Sequence, residues 1–316
     1  MQDTCNICPR NCNARRKENL VGICKETKEI RIARAALHMW EEPCISGDNG
    51  SGTVFFTGCN LHCVFCQNKS IADSMVGKIV SQKRLETIFY ELKEKKANNI
   101  NLVTPTHFTE ELIPILRKMK EEHFDLPFVY NTSGYEKVET LRKLEGLIDI
   151  YMPDLKYMDS TISFRYSNVK DYYDKAMKAI EEMIRQVGEA QFYALKTKEM
   201  INTTEYNKRC DAGEEILMKK GVIVRHLLLP GCIEDSKRIL NAINNNFGDK
   251  VYVSIMNQYT PLPHTITFDE LNRKVTKNEY EEVIAYAINL GIENAFIQEG
   301  DTAKESFIPD FNMEGI

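Results

Sequence analysis

Short apolar runs alternate with longer amphipathic stretches along most of the chain. The runs are rich in Val, Ile, Leu and Phe, which is typical of strands buried on both faces. The stretches between them repeat apolar residues at helical spacing, with Lys and Glu on the opposite face. The predicted strands are 53–56, 100–104, 127–131, 147–152, 222–229, 251–255 and 294–298. The predicted helices are 81–97, 109–122, 136–144, 172–187, 236–246 and 276–290.

This alternation predicts parallel strands, because a helix between two strands returns the chain to the same end of the sheet. Six such strands between residues 53 and 255 predict an α/β fold, a partial (β/α)6 TIM-like barrel. We divide the chain into a small Cys-rich module at 1–50, the barrel at 51–260, and a helix–strand extension at 261–316 that closes it. Chemistry in such barrels lies at the carboxyl ends of the strands.

Composition and net charge limit the classes of protein to which this chain can belong. The chain has 316 residues, 43% of them hydrophobic, which is enough for a full core. A net charge of −5 argues against general nucleic-acid or membrane-surface binding, and no apolar run approaches the ~18 residues of a membrane span. Ten cysteines without an export signal indicate metal ligation in a reducing cytoplasm rather than disulfides.

Three cysteines stand directly after the first barrel strand with the spacing C-x3-C-x2-C: Cys59, Cys63 and Cys66. Three thiolates on one loop can meet at a single soft metal centre. Closed zinc sites and ordinary 4Fe–4S sites use four protein ligands, so three ligands leave one iron of a four-iron cluster open. The alternative is a zinc knuckle or a chance cluster of buried cysteines.

Four further cysteines define the N-terminal module: Cys5, Cys8, Cys12 and Cys24. Their spacing can close one tetrahedral metal site, and a segment with so few large apolar residues needs such a staple to fold. Zinc and a second iron–sulfur cluster are both compatible with four thiols. Free buried thiols are the alternative. Cys44 stands alone and is expected to be a small buried side chain, with a nearby metal ligand or a redox-active thiol as the alternatives; Cys210 is expected to be a structural thiol.

Polar residues follow the predicted strands, as a barrel active site requires. His107 is a candidate proton or substrate contact, with capping of the next helix as the alternative. Tyr259 is a candidate substrate contact or a packed, hydrogen-bonded tyrosine. The strand-end segments are 104–108, 131–135, 152–156, 224–231 and 257–259.

The three-cysteine loop, with Phe65 as the aromatic residue before its last cysteine, resembles the radical S-adenosylmethionine (radical SAM) superfamily. The resemblance implies a 4Fe–4S cluster whose open iron chelates SAM. It also implies reductive cleavage of SAM to a deoxyadenosyl radical that abstracts hydrogen. Because an open-iron cluster is sensitive to oxygen, an anaerobic or microaerobic setting is expected.

The strings G-C-N-L-x-C-x-F-C-Q-N, N-T-S-G-Y and M-P-D-L-K are similar to those of the pyruvate formate-lyase activating enzyme, a glycyl-radical-enzyme activase. The chain as a whole resembles an uncharacterised activase-like branch with an N-terminal C-x2-C-P-R-x-C module. The resemblance implies a monovalent cation beside the carboxylate of SAM. The implied cation site comprises Asn131, Thr132, Met152 and Asp154, although the activase has Asp in place of Asn131.

The same resemblance implies the SAM contacts. Lys156 would lie near SAM as a catalytic residue beside the three cysteines, and Arg225 would contact its carboxylate region. Leu227 would pack on adenine. Thr104 and Thr106 would face the amino group of SAM, although this segment departs from the usual glycine-rich form.

Three functions of different classes follow from these patterns. The first is an activase that takes hydrogen from a backbone glycine of a partner glycyl radical enzyme, with a flavodoxin- or ferredoxin-type electron donor. The second is a radical SAM enzyme that acts on a small molecule, a peptide or a nucleic-acid base. The third, a non-enzymatic metal-binding module, leaves the strand-end residues unexplained. The segment 189–212 is longer than is usual in the family and is expected to form a lid or partner contact.

Overall fold

Eleven strands and ten α-helices follow one another along the residues described by the structure, a computed structural model that covers 4–265, 267–298 and 309–316. The strands are β1 (Arg31–His38), β2 (Ser51–Phe56), β3 (Lys78–Ile79), β4 (Ile100–Val103), β5 (Phe128–Thr132), β6 (Ile150–Pro153), β7 (Gln191–Ala194), β8 (Met200–Ile201), β9 (Ile216–Leu227), β10 (Tyr252–Met256) and β11 (Ala295–Ile297). The helices are α1 (Pro43–Ser46), α2 (Lys69–Ala72), α3 (Gln82–Glu94), α4 (Thr109–Glu121), α5 (Val138–Arg142), α6 (Ser160–Ser167), α7 (Tyr172–Val187), α8 (Thr203–Asp211), α9 (Ile233–Phe247) and α10 (Lys277–Asn289).

The sheet runs in the order β11-β10-β9-β6-β5-β4-β2-β1-β3. Every neighbouring pair from β2 to β11 is parallel, and helices connect these strands. The predicted α/β fold with a partial TIM-like barrel is confirmed. All carboxyl ends of the parallel strands therefore lie at one rim, where the polar segments of the sequence come together.

Burial explains why these segments form strands and helices. All residues of β2, β4, β5, β6 and β10 are buried, as expected for parallel strands covered on both faces. The helix α7 buries one apolar stripe, which includes Ala176, Ile180 and Met183. His226 on β9 faces α9, because its Nε2 lies 2.9 Å from Ser236 Oγ.

Two parts of the fold were not predicted. β1 pairs antiparallel with β2, so residues 31–38 of the N-terminal module add a strand to the barrel sheet. The segment 189–212 contains β7, β8 and α8, and β7 pairs antiparallel with the first half of β9. The additional residues of this segment therefore form a hairpin and a helix that pack at the start of β9.

The C-terminal extension returns to the first strand. The amide of Ala35 donates to the carbonyl of Glu314 over 2.8 Å, and the rings of Phe55 and Phe311 meet edge to face. Residues 299–308 of this extension lie outside the described residues. Among the helices that are described, none combines the length and apolarity needed to cross a membrane.

Candidate active site

The loop with the three clustered cysteines leaves the carboxyl end of β2. Gly58 turns the chain with a φ of 80°, and the amide of Cys66 donates to the carbonyl of Cys63 over 3.0 Å. Ser167, the last residue of α6, donates its hydroxyl proton to Cys63 Sγ at 3.0 Å. Cys59 and Cys66 are half-buried and Cys63 is buried. The loop is thus folded on itself and hydrogen-bonded to the last residue of α6.

Burial and mutual repulsion govern these thiols. Burial raises the pKa of Cys59, and Cys63 raises it further. Burial also raises the pKa of Cys66 to about 12, with Cys59 and Cys63 adding to the rise. Lys156 opposes both shifts, so its ammonium group acts on the same thiols. Because a metal binds the thiolate form, a cation here favours ligation.

Lys156 belongs to a buried array of charges built from four strands or strand-end loops. Arg225 Nη2 lies 3.0 Å from Asp154 Oδ1 and donates to Asn131 Oδ1 at 2.7 Å. Arg225 Nη1 lies 3.3 Å from Glu41 Oε2, and Lys156 Nζ pairs with the other oxygen of Asp154. Burial raises the pKa of Asp154, but Lys156 and Arg225 outweigh it and hold the pKa below its ordinary value. Two half-buried cations therefore share this buried carboxylate.

A second buried carboxylate joins the ends of β4 and β5. Glu136 Oε1 accepts a hydrogen bond from Thr106 Oγ1 at 2.5 Å and another from the hydroxyl of Thr132. Burial raises the pKa of Glu136 to about 7. Thr104, at the same rim, adopts a φ of 58°, and its amide donates to Asn131 O over 2.8 Å. Thr106, a predicted SAM contact, and Thr132, from the implied cation site, are thus positioned by a residue that was not among the sequence-based candidates.

The N-terminal cysteines form a separate group of interacting thiols. Burial raises the pKa of Cys8 to about 12, and Cys24 and Cys5 raise it further. Burial raises the pKa of Cys24, which Arg16 opposes and to which Cys5 and Cys12 add. Cys24 therefore interacts electrostatically with each of the other three thiols.

Comparison with known proteins identifies the barrel. A family profile described as the radical SAM superfamily matches residues 53–190. Residues 53–190 form a radical SAM domain. The matched range begins at β2 and includes the three-cysteine loop together with the ends of β4, β5 and β6. An uncharacterized protein of Methanocaldococcus jannaschii is 27% identical over 291 residues, which are 90% of this chain and 74% of that protein.

Two solved structures superpose on most of this chain. The FeFe-hydrogenase maturase HydG of Carboxydothermus hydrogenoformans superposes with a TM-score of 0.51 and 13% identity, over 81% of this chain and 56% of that chain. SuiB of Streptococcus suis bound to S-adenosylmethionine gives a TM-score of 0.49 and 15% identity, over 77% of this chain and 49% of that chain. The chain spans about half the length of these structures. At 13% identity the likeness to HydG shows the fold alone.

The donors of the radical SAM domain fit an iron–sulfur cluster and SAM. Cys59, Cys63 and Cys66 are free thiols on one loop, which are the ligands that such clusters use. Among the described residues no three Cys, His, Asp or Glu side chains converge as a metal-ligand group, so the fit rests on donor chemistry. Lys156 and Arg225 are half-buried cations that suit the carboxylate of SAM.

A separate monovalent cation does not fit the side chains in the same way. Arg225 Nη2 contacts Asn131 Oδ1 at 2.7 Å and Asp154 Oδ1 at 3.0 Å, so the guanidinium already occupies two of the side-chain oxygens of the implied cation site. A further cation between them would face Arg225 and Lys156 at close range in a buried setting, where like charges repel strongly. We derive no role for a separate cation.

Several candidates of the sequence analysis support the radical SAM domain from its core. The buried ring of Phe65 lies edge to face with that of Tyr259, at 6.4 Å between centroids. Tyr259 is itself packed, with its hydroxyl donating to a backbone carbonyl at 2.7 Å. His107 is buried, and its Nε2 lies 2.6 Å from Thr57 O. Leu227 is half-buried against the core at the end of β9.

The residues that the sequence analysis missed reach the site from distant parts of the chain. Glu41 approaches Arg225 across 184 positions, and Ser167 approaches Cys63 across 104. Burial raises the pKa of Glu41, and Arg225 opposes that rise. Glu41 stands in the string E-E-P-C-I-S-G, whose two adjacent carboxylates before a buried cysteine were the available signal.

Proposed function

We propose that this chain is a radical SAM enzyme that binds a 4Fe–4S cluster through Cys59, Cys63 and Cys66. When bound, the reduced cluster supplies the electron that splits SAM into methionine and a deoxyadenosyl radical, which takes a hydrogen atom from the substrate. One observation carries the proposal: the ammonium group of Lys156 interacts electrostatically with all three thiols and is joined through Asp154 to Arg225 at the carboxyl ends of the strands.

The chain's own residues bind and orient the anionic end of SAM in this proposal. Lys156 and Arg225 supply two positive charges, and Asp154 fixes their positions. The hydroxyl of Tyr172 lies 2.8 Å from the carbonyl oxygens of both Ser133 and Asp154. It also accepts a hydrogen bond from the amide of Lys156 at 3.0 Å. This scaffold places the charges before SAM binds, which lowers the cost of ordering them.

For the hydrogen donor we propose a backbone glycine of a partner glycyl radical enzyme. The similarity of N-T-S-G-Y and M-P-D-L-K to the activase segments supports this choice. We further propose that a low-potential flavodoxin or ferredoxin delivers the electron. A small molecule or peptide as hydrogen donor is the competing outcome of the test below.

The test begins with anaerobic reconstitution of the full chain with iron and sulfide. We expect dithionite-dependent formation of deoxyadenosine and methionine from SAM, because uncoupled cleavage requires only the cluster and SAM. Cys63→Ala should abolish both products, whereas Cys210→Ala, a thiol outside the loop, should retain them. A wild-type protein with four irons per chain that forms neither product contradicts the proposal.

The partner is tested separately by electron paramagnetic resonance (EPR). Incubation with a candidate glycyl radical enzyme should leave a stable organic radical on that protein. Cleavage of SAM that is stimulated by a small molecule or peptide, with no radical on the protein, supports the competing donor. Genes adjacent to that of this chain supply the candidates for both arms.

A further inference from the structure

Arg10 of the N-terminal module is bound to the loop that carries the cluster cysteines. It stands between Cys8 and Cys12, on a turn in which the amide of Asn11 donates to Cys8 O at 3.2 Å. Its Nε donates to Asn60 O at 2.7 Å, and its Nη2 donates to Leu61 O at 3.3 Å. Asn60 and Leu61 are both buried and lie between Cys59 and Cys63 in the sequence.

The same guanidinium also holds the end of α6. Arg10 Nη2 donates to Ser167 O at 2.9 Å, and Nη1 donates to Asn168 O at 2.7 Å. Ser167 in turn donates its hydroxyl proton to Cys63 Sγ at 3.0 Å. One side chain therefore joins two segments that meet at a cluster cysteine. A planar group with five donors suits this task, since it satisfies four carbonyls from a fixed position.

Two further contacts place the module against the loop. A Cβ atom on Gly58 would lie 2.5 Å from Cys24 O, so only glycine permits this approach directly before Cys59. The ring of His62 lies 2.6 Å from Ile23 O through Nε2. The module thus contacts the loop through its backbone at residues 23 and 24 as well as through Arg10.

From these contacts we propose that Arg10 is a positioning residue for the cluster loop, and that it couples the four-cysteine module to Cys59 and Cys63. The backbone that carries Arg10 is flanked by the thiols of Cys8 and Cys12, so the arrangement of those thiols determines where the guanidinium lies. The module then acts as a clamp on the loop. The effect of Arg10 on cluster binding rests on the proposed function. Its effect on the order of the loop backbone does not.

The first test measures backbone hydrogen exchange of the full chain before any cluster is added. The amides of Val64 and Cys66 are the reporters, because they donate to Tyr166 O and Cys63 O inside the structure. Arg10→Gln should increase their exchange rates at least tenfold, and Arg10→Lys should do so less because it keeps the charge. Arg15→Gln is the matched control, since Arg15 pairs with Glu18 in the same module.

The second test measures the reconstituted cluster. In Arg10→Gln we expect fewer irons per chain after reconstitution, or an altered EPR spectrum of the reduced cluster, with neither change in Arg15→Gln. Amides of β5 should exchange as in the wild type in every variant, which separates local loosening from unfolding. If Arg10→Gln does not fold, Arg10→Lys is compared with Arg15→Gln in the same assays.

Unchanged exchange of Val64 and Cys66 in the Arg10 variants overturns the inference, as does an equal increase in Arg15→Gln. A different result is expected if the proposed function is wrong. The wild type would then bind no cluster and cleave no SAM, while Arg10→Gln would still loosen the loop. The two failures are therefore distinguishable.

Discussion

At the scale of single residues, Asp154 shows how a buried charge is kept ionised. Burial alone raises the pKa of a carboxyl group, yet Lys156 and Arg225 bring that of Asp154 below its ordinary value. Arg225 in turn contacts Asn131, at the position where the activase-like pattern has a carboxylate. The side-chain amide of Asn131 accepts a hydrogen bond from the guanidinium of Arg225 without adding a second negative charge. The polar groups of Asn131, Asp154, Lys156 and Arg225 therefore find their partners among themselves.

The first prediction concerns Asn131, which stands where the activase has Asp. Replacing K⁺ or Na⁺ by choline at constant ionic strength should leave the Tm of the wild type unchanged, because Arg225 bridges Asn131 and Asp154. The double variant Asn131→Asp/Arg225→Gln should gain a cation-dependent Tm. The gain corresponds to about 2.7 kcal/mol at a cation concentration of 100 times Kd. Calorimetric scans in the three salts measure it, and a cation-dependent wild type contradicts the prediction.

A second prediction concerns the hydroxyl of Ser167, which donates to Cys63 Sγ. A hydrogen bond to a ligand sulfur stabilises the more negative, reduced cluster. Ser167→Ala should therefore lower the midpoint potential by roughly 40 mV, the one-electron equivalent of about 1 kcal/mol. Redox titration followed by EPR measures the change. Ser163→Ala, on the same helix, is the control and should leave the potential unchanged.

At the scale of elements, local hydrogen bonds decide where helices begin. The helix α10 begins with a capping box, in which Thr276 Oγ1 accepts from the amide of Glu279 and Glu279 Oε2 accepts from the amide of Thr276. Glu279 also pairs with Arg273 at 2.6 Å. The hydrogen bond from Arg273 is the main reason why the pKa of Glu279 falls to about 2.

The third prediction follows from that depressed pKa. A carboxyl whose pKa is lower in the folded state stabilises the fold above its unfolded pKa and loses that contribution as the pH falls through the folded value. Glu279→Gln should lower the free energy of unfolding by about 1 kcal/mol at pH 7. The difference should shrink as the pH falls from 5 toward 2. Denaturant titrations over this range measure it, with Glu281→Gln as the control on the same helix.

At the scale of the whole molecule, two arginine side chains, the buried Arg16 and the half-buried Arg10, join the N-terminal module to the barrel. Arg16 is 2% exposed, and its guanidinium donates to Glu26 O at 3.0 Å and to His107 O at 2.6 Å. It also stacks over the ring of Phe108 at 5.6 Å. The module therefore contacts the barrel at the end of β4 as well as at the cluster loop.

The fourth prediction tests the contact that Arg16 makes between the N-terminal module and the barrel. Arg16→Met leaves buried carbonyl oxygens without donors and should lower the free energy of unfolding by about 3 kcal/mol. Arg15→Met, which removes an exposed pair with Glu18, should change it by less than about 1 kcal/mol. Denaturant titration of both variants provides the measurement. Equal losses in the two variants would contradict a special role for Arg16.

Much of the barrel was predictable because its determinants are local. The helix α7 was expected at 172–187 and is found at Tyr172–Val187, since its apolar stripe repeats within each turn. The strand β1 was missed because its burial pattern does not alternate strictly, and because it forms by pairing with β2, a contact between separate segments of the chain. The hairpin of β7 and β8 was missed for the same reason: its pairing with β9 is not encoded in a short window.

The sequence by itself determined the chemistry of the three-cysteine loop, because Cys59, Cys63 and Cys66 lie within one turn-rich segment after a strand. Tertiary structure alone decided what surrounds that loop. Arg10 reaches Asn168 across 158 positions, and Glu41 reaches Arg225 across 184. Contacts over such separations depend on how helices and strands pack, and a buried charge reveals its partner only when that packing is complete.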